Sequence, residues 1–186
     1  MNTLPTPFIF CFLVKIGVTT KTPICSVCLK SNILCLGCER KLKEGKISPL
    51  DVKISRVLFE LAQKYHGLDR INFKRAIEVK GLVVLLVERG EISTVVGKGG
   101  RVILGLTEAL RAKVRVIEEG ADIHKQVQDI LTPAKVRGIN ILYSGGSEEY
   151  RIRVPRAHLK LLPASIDALQ ALFAKLTDKN IKLVFE

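Results

Sequence analysis

Two sets of residues in this 186-residue chain have a spacing that chemistry can use. The first is Cys25-Ser26-Val27-Cys28 and, after a six-residue spacer, Cys35-Leu36-Gly37-Cys38. A Cys-x-x-Cys knuckle turns two sulfurs toward one point. Two knuckles together close a tetrahedral thiolate cage with no vacant position for water or substrate. The expected occupant is a structural Zn2+. An iron-sulfur cluster, also held by four thiolates, is the alternative, and a redox pair of cysteines is a third reading. Two disulfides do not suit a chain that otherwise reads as cytosolic. No histidine falls within residues 21–46, so Cys25, Cys28, Cys35 and Cys38 form the complete ligand set.

The second set is Val95-Val96-Gly97-Lys98-Gly99-Gly100-Arg101-Val102-Ile103. Glycines without side chains, tolerant of positive φ, let another molecule come against the main chain. The N–H groups opening the helix that follows, with Lys98 and Arg101 beside them, suit a phosphate. A sugar-phosphate backbone is the expected ligand, against the alternative of a tight turn with none. A dinucleotide fingerprint needs glycine where Val102 stands. A nucleoside-triphosphate loop needs Gly and Ser or Thr where Ile92 and Gly99 stand, so both motifs are excluded.

Composition points the same way. Lys and Arg number 30 against 18 Asp and Glu, a net charge of +12 that favours a polyanionic partner. Trp is absent and Phe and Tyr are 7 and 3, which disfavours recognition built on base-aromatic stacking and leaves backbone and groove contacts. The apolar run at 8–14 is shorter than the roughly 20 residues a membrane span needs, and no basic stretch precedes it as in a secretory signal. Residues 1–20 are therefore expected to be an apolar extension that packs on the rest or is poorly ordered ahead of a later translation start. No membrane partner is expected, and the expected compartment is the cytoplasm.

The elements that must position these residues follow from capping and periodicity. Ser48-Pro49-Leu50-Asp51 is a helix start, and Leu50, Ile54, Val57, Leu58, Leu61 and Tyr65 recur on a helical period up to Gly67. Residues 71–79 and 81–87 read as paired strands hinged at Lys80-Gly81. A short helical turn at 91–96 leads into the glycine loop, a helix spans 102–112, and a strand spans 113–117. Residues 121–186 repeat that order. Asp122 caps a helix at 123–131, strands at 136–143 and 150–154 are joined through Ser144-Gly145-Gly146-Ser147, and helical pieces at 155–162 and 164–176 precede a strand at 181–185.

The order helix, strand, strand, short helix, Gly-x-x-Gly, helix, strand resembles the prokaryotic-type (type II) KH domain, with Val96 to Ile103 matching its apolar-Gly-x-x-Gly-x-x-Ile pattern. The resemblance implies an α+β fold: two tandem type II (αββααβ) KH domains at 47–120 and 121–186, preceded by a four-cysteine zinc-binding module at 21–46. It implies that Val96, Gly97, Lys98, Gly99, Gly100, Arg101 and Ile103 bind single-stranded RNA, with Val95 in the same apolar wall. In the second unit Leu162-Pro163-Ala164-Ser165 replaces the glycine loop, a degenerate motif that leaves Arg151, Arg153, Arg156 and Lys160 as a secondary RNA-binding face. The pair is similar to the RNA-binding half of the NusA transcription elongation and termination factors, and nearest in layout to small archaeal NusA-like proteins. RNA polymerase or the ribosome is then the expected larger partner.

Alternatives are a ribosome-associated or RNA-processing KH factor, and a zinc-nucleated module for protein contacts. An enzyme is not expected. His66, His124 and His158 are far apart in sequence, Glu118-Glu119 and Glu148-Glu149 sit where solvation explains them, and a four-thiolate zinc activates no water.

Overall fold

The computed structural model describes residues 20–31, 33–144, 147–177 and 179–186. The apolar run at 8–14 and the Gly145-Gly146 turn lie outside the described residues. The fold is mixed α+β, with two three-stranded sheets. In chain order the elements are α1 (Ser26–Lys30), α2 (Leu36–Lys43), α3 (Pro49–Lys64), β1 (Phe73–Val79), β2 (Leu82–Val87), α4 (Ile92–Val96), α5 (Arg101–Leu110) and β3 (Lys113–Glu118). They continue with α6 (Ile123–Leu131), β4 (Gly138–Ser144), β5 (Ser147–Val154), α7 (Ile166–Thr177) and β6 (Asn180–Phe185).

Local chemistry accounts for most of these boundaries. Ser48 caps α3 by accepting from the Asp51 N–H while the Asp51 carboxylate accepts from the Ser48 N–H, a reciprocal box with Pro49 as first residue. The β1–β2 turn is Lys80-Gly81, with φ of 44° and 80°, the left-handed pair that matches the twist of a two-residue hairpin. Asp122 caps α6 through the His124 N–H. The helix expected to reach residue 112 stops at Leu110, because Arg111 turns left-handed at φ 53°. The piece expected at 155–162 is a 3-10 turn over Arg156–Leu161.

The two sheets share one connectivity. Each has its strands in sequence order, the first pair antiparallel and the second pair parallel, with β2 and β5 central. All six residues of β2 are buried, because both faces of the first sheet are covered. Val83, Leu85 and Val87 pack with Ile54 and Leu58 of α3 and Val102 and Leu106 of α5. Leu82, Val84 and Leu86 pack with Val127 and Ile130 of α6 and Leu172 and Phe173 of α7, alongside Ile152 of β5. Segments 47–120 and 121–186 thus meet through a common apolar core. Lys113 adds a polar tie by donating to the Pro163 carbonyl at 2.9 Å.

A third cluster joins the cysteine segment to α3. Ile24, Cys28, Leu29, Cys38 and Ile47 bury against Val52 and Phe59, the face of α3 turned away from the first sheet. Lys21 bridges Asn72 ahead of β1, which fastens the start of this segment to the sheet edge.

Candidate metal centre and nucleic-acid interface

The two knuckles fold as near copies. Cys25 and Cys35 are the N-cap residues of α1 and α2, with φ, ψ of −74°, 162° and −74°, 161°. Cys28 and Cys38 follow one turn inside each helix and are buried, whereas Cys25 and Cys35 are exposed. The backbone crosses over: the Cys35 N–H donates to Cys28 Sγ at 3.0 Å and the Cys25 N–H donates to Cys38 Sγ at 3.4 Å. Such bonds stabilise thiolate.

All four Sγ atoms lie within 4.8 Å of one another, with Cys25 to Cys28 at 3.4 Å and Cys25 to Cys35 at 3.8 Å. Sulfurs at tetrahedral corners around zinc, each about 2.3 Å from the ion, stand about 3.8 Å apart. The four cysteines can therefore hold a metal ion such as zinc, and the short spacer suffices within one chain. Burial pushes the Cys28 thiol up to about 12, and Cys38 is raised for the same reason. Hydrogen bonds, first from the Cys38 backbone, bring Cys35 down to about 6, and those from Cys28 lower Cys25. A cation among the sulfurs removes the cost of burying charge and favours four thiolates.

The glycine loop joins α4 to α5. Gly97 ends α4 with φ 74°, ψ 165°, and Gly99 and Gly100 are left-handed, at 65°, 21° and 74°, 12°. A Cβ on Gly97 would stand 2.5 Å from Val102 Cγ2, whereas one on Gly99 would meet nothing within 4 Å. The first glycine is thus required by the protein's own packing, and the later two keep the outer face bare. Lys98, Gly99 and Arg101 are exposed around the start of α5, whose first N–H groups have no intrahelical acceptor.

The apolar residues of the motif divide. Val95 and Val102 are core, Val96 and Ile103 are half-buried beside the loop, and Leu104, at 58% exposure, stands in solvent. Leu104 stands one helical turn after Arg101 on α5.

In the second half, Arg151 and Arg153 share the solvent face of β5, opposite buried Tyr150, Ile152 and Val154. Both are engaged: Arg151 Nε donates to Glu149 at 2.8 Å, and Arg153 lies 3.9 Å from Glu186. Arg156 Nε donates to the Phe185 carbonyl at 3.3 Å, and Lys160 is exposed on the 3-10 turn. Lys182, across from Arg151 on β6, joins this face and pairs with Glu149 at 2.6 Å. Only the strand pairing reveals that neighbour. Leu162 and Pro163 turn inward, and Lys113 holds the Pro163 carbonyl. The three histidines do not form a cluster with one another, and His158 Nδ1 accepts from the Lys135 N–H at 3.1 Å.

No family model and no curated protein matches the chain. The solved structure described as "Crystal structure of APE1850" is similar over 62% of this chain and 88% of its own, at 24% identity and a TM-score of 0.48.

Among the described residues, no helix is long and apolar enough to cross a membrane.

Proposed function

We propose that the protein is a non-enzymatic binder of single-stranded RNA built from two tandem type II KH units and a four-cysteine zinc module, acting as a NusA-like factor in transcription elongation or termination. The observation that carries this reading is the bare outer face of Gly99 and Gly100 at the start of α5, between exposed Lys98 and Arg101. A phosphodiester can approach that main chain, with the helix N-terminus and two cations facing its charge. Val96, Ile103 and Leu104 offer aliphatic surface beside it for the bases. Gly97 serves the same site indirectly by setting the angle between α4 and α5.

The second unit is the supporting one. Its loop is tied to β3 through Lys113, and its arginines are partly neutralised by Glu149 and Glu186. Zinc in the thiolate cage is structural, because four sulfurs leave no open position.

The test is binding of the full chain to a short fluorescent single-stranded RNA and to a duplex of equal length, at two salt concentrations. Preference for the single strand, lost in the Gly99→Asp, Gly100→Asp double variant, supports the reading. Aspartate tolerates left-handed φ, so the variant retains the loop's conformation. Lys98→Glu should lower the salt slope by about one to two phosphate contacts, and Lys175→Glu, on α7, should do much less. Equal losses from both would replace the proposed site with diffuse electrostatic attraction.

A further inference from the structure

The cysteine module presents a surface that neither its own core nor RNA recognition uses. Ile24, Leu29 and Ile47 turn inward, yet Val27, Ile33 and Leu36 are 66%, 78% and 82% exposed. Their positions are related. Val27 is the second residue of α1, Leu36 is the first residue of α2, and Ile33 stands between the knuckles. The two helix starts lie side by side, because Cys25 and Cys35, the exposed members of the cage, have their sulfurs 3.8 Å apart. Val27 and Leu36 therefore stand on two adjoining helix starts beside the exposed sulfurs, with Ile33 just ahead of the second.

The rim of this patch is basic. Lys30 lies one helical turn after Val27 on α1 and Arg40 one turn after Leu36 on α2, so each sets a cation on the face of an exposed aliphatic side chain, and Lys43, a further turn on, pairs with Glu39 at 3.1 Å. Among the described residues, Lys30 and Arg40 have no carboxylate partner. Phosphate does not bury aliphatic side chains, and the module has no aromatic ring on which a base could stack. An apolar centre within a one-sign polar rim is instead the layout of a protein contact, with charge complementarity selecting the partner.

We propose that the solvent side of the cysteine module, centred on Val27, Ile33 and Leu36, docks a second protein through a segment of aliphatic side chains flanked by carboxylates. The metal preorganises the patch, so docking requires the loaded cage. This surface is separate from the glycine loop, and its occupancy does not depend on RNA.

The probe is a fluorescein-labelled, 16-residue synthetic helix with Leu at i, i+4, i+7 and i+11 and Glu or Asp elsewhere. Its controls carry Lys for the acids, or Ala for the leucines. Anisotropy with the zinc-loaded full chain should show binding of the acidic aliphatic peptide, at least tenfold tighter than either control. Chelation should abolish it. Val27→Ser with Leu36→Ser should weaken binding at least tenfold while zinc content and RNA affinity stay unchanged, since both positions are exposed.

Lys30→Glu, which leaves the apolar patch intact, should weaken binding and flatten its salt dependence. The Gly99→Asp, Gly100→Asp variant should bind the peptide normally, so failure of the RNA reading and failure of this one are distinguishable. No binding, or equal binding of acidic and basic peptides, overturns the proposal. Self-association of the chain that Leu36→Ser abolishes would assign the patch to a second copy. Cross-links placing residues 1–19 of the same chain over Leu36 would assign it to an internal contact. Either result would also overturn it.

Discussion

Replacing Gly97 with alanine separates the structural glycine of the loop from those that face solvent. At φ 74°, ψ 165°, Gly97 occupies backbone space that other residues essentially never enter, a cost of about 1 to 3 kcal/mol. The added Cβ would also lie 2.5 Å from Val102 Cγ2, 3.1 Å from Val102 Cβ and 3.2 Å from the Val102 nitrogen. Val102 is 2% exposed and packs in the first sheet's core, so it gives way only if the start of α5 moves. Forced overpacking adds about 1 to 3 kcal/mol, for a total of about 2 to 6. Gly99→Ala meets nothing and bears only the left-handed cost of about 1 to 2 kcal/mol. At about 2 to 4 °C per kcal/mol for a chain of this size, Gly97→Ala should melt about 4 to 24 °C below the parent, and Gly99→Ala about 2 to 8 °C below it. Thermal melts by circular dichroism, run side by side, read the difference. If Gly97→Ala melts no lower than Gly99→Ala, the close approach of Val102 does not constrain the loop and the division of roles among these glycines is wrong.

Three further outcomes can be measured on the same protein. Asp51 is 4% exposed and accepts from the Ser48 N–H at 2.8 Å and the Ala76 N–H at 2.6 Å. Asp51→Ala removes a cap and strands a β1 amide, so urea unfolding should show a loss of about 2 to 4 kcal/mol; a change well under 1 would refute that double role. Glu118, buried at the end of β3, is held below the usual carboxylate range, first by Lys125 Nζ at 2.5 Å and then by the Gly90 N–H at 2.9 Å. Its pKa is lower folded than unfolded, so its contribution is complete above about pH 4.3 and fades as pH falls through the folded value. The stability gap between parent and Glu118→Gln should be flat near neutrality and close below about pH 4; a gap that widens on acidification contradicts the assignment. Cys28→Ser should abolish metal retention and speed hydrogen exchange over residues 24–47 and the Val52 and Phe59 face of α3, while β2 amides stay protected. Equal loss of protection in β2 would mean that the cysteine module and the first sheet unfold as one unit.

What could be read from the chain is what is encoded locally. The Ser48 to Asp51 box, the Lys80-Gly81 turn, the Asp122 cap and both knuckles act over a few residues, so residue type and spacing dictate them before any tertiary contact forms. The glycine motif was legible for the same reason, since positive φ at Gly97, Gly99 and Gly100 is a backbone requirement. Their division of labour was not legible, because it depends on where Val102 sits. Leu36 and Leu104 read as ordinary apolar residues, and only packing shows that no neighbour covers them.

The sequence by itself determined most of the elements, the pair of cysteine knuckles and the bare glycine turn, all products of short-range sterics and hydrogen bonding. Tertiary structure alone decided the rest. It set α6 and α7 against the second face of the first sheet, which is why β2 is apolar at every position rather than at alternate ones. It gave Asp51 a strand amide to hold 25 residues away, paired Glu118 with Lys125, and drew Lys113 to the Pro163 carbonyl. Such contacts join residues far apart in the chain, and their partners are chosen by the packing of whole faces, which no local pattern encodes.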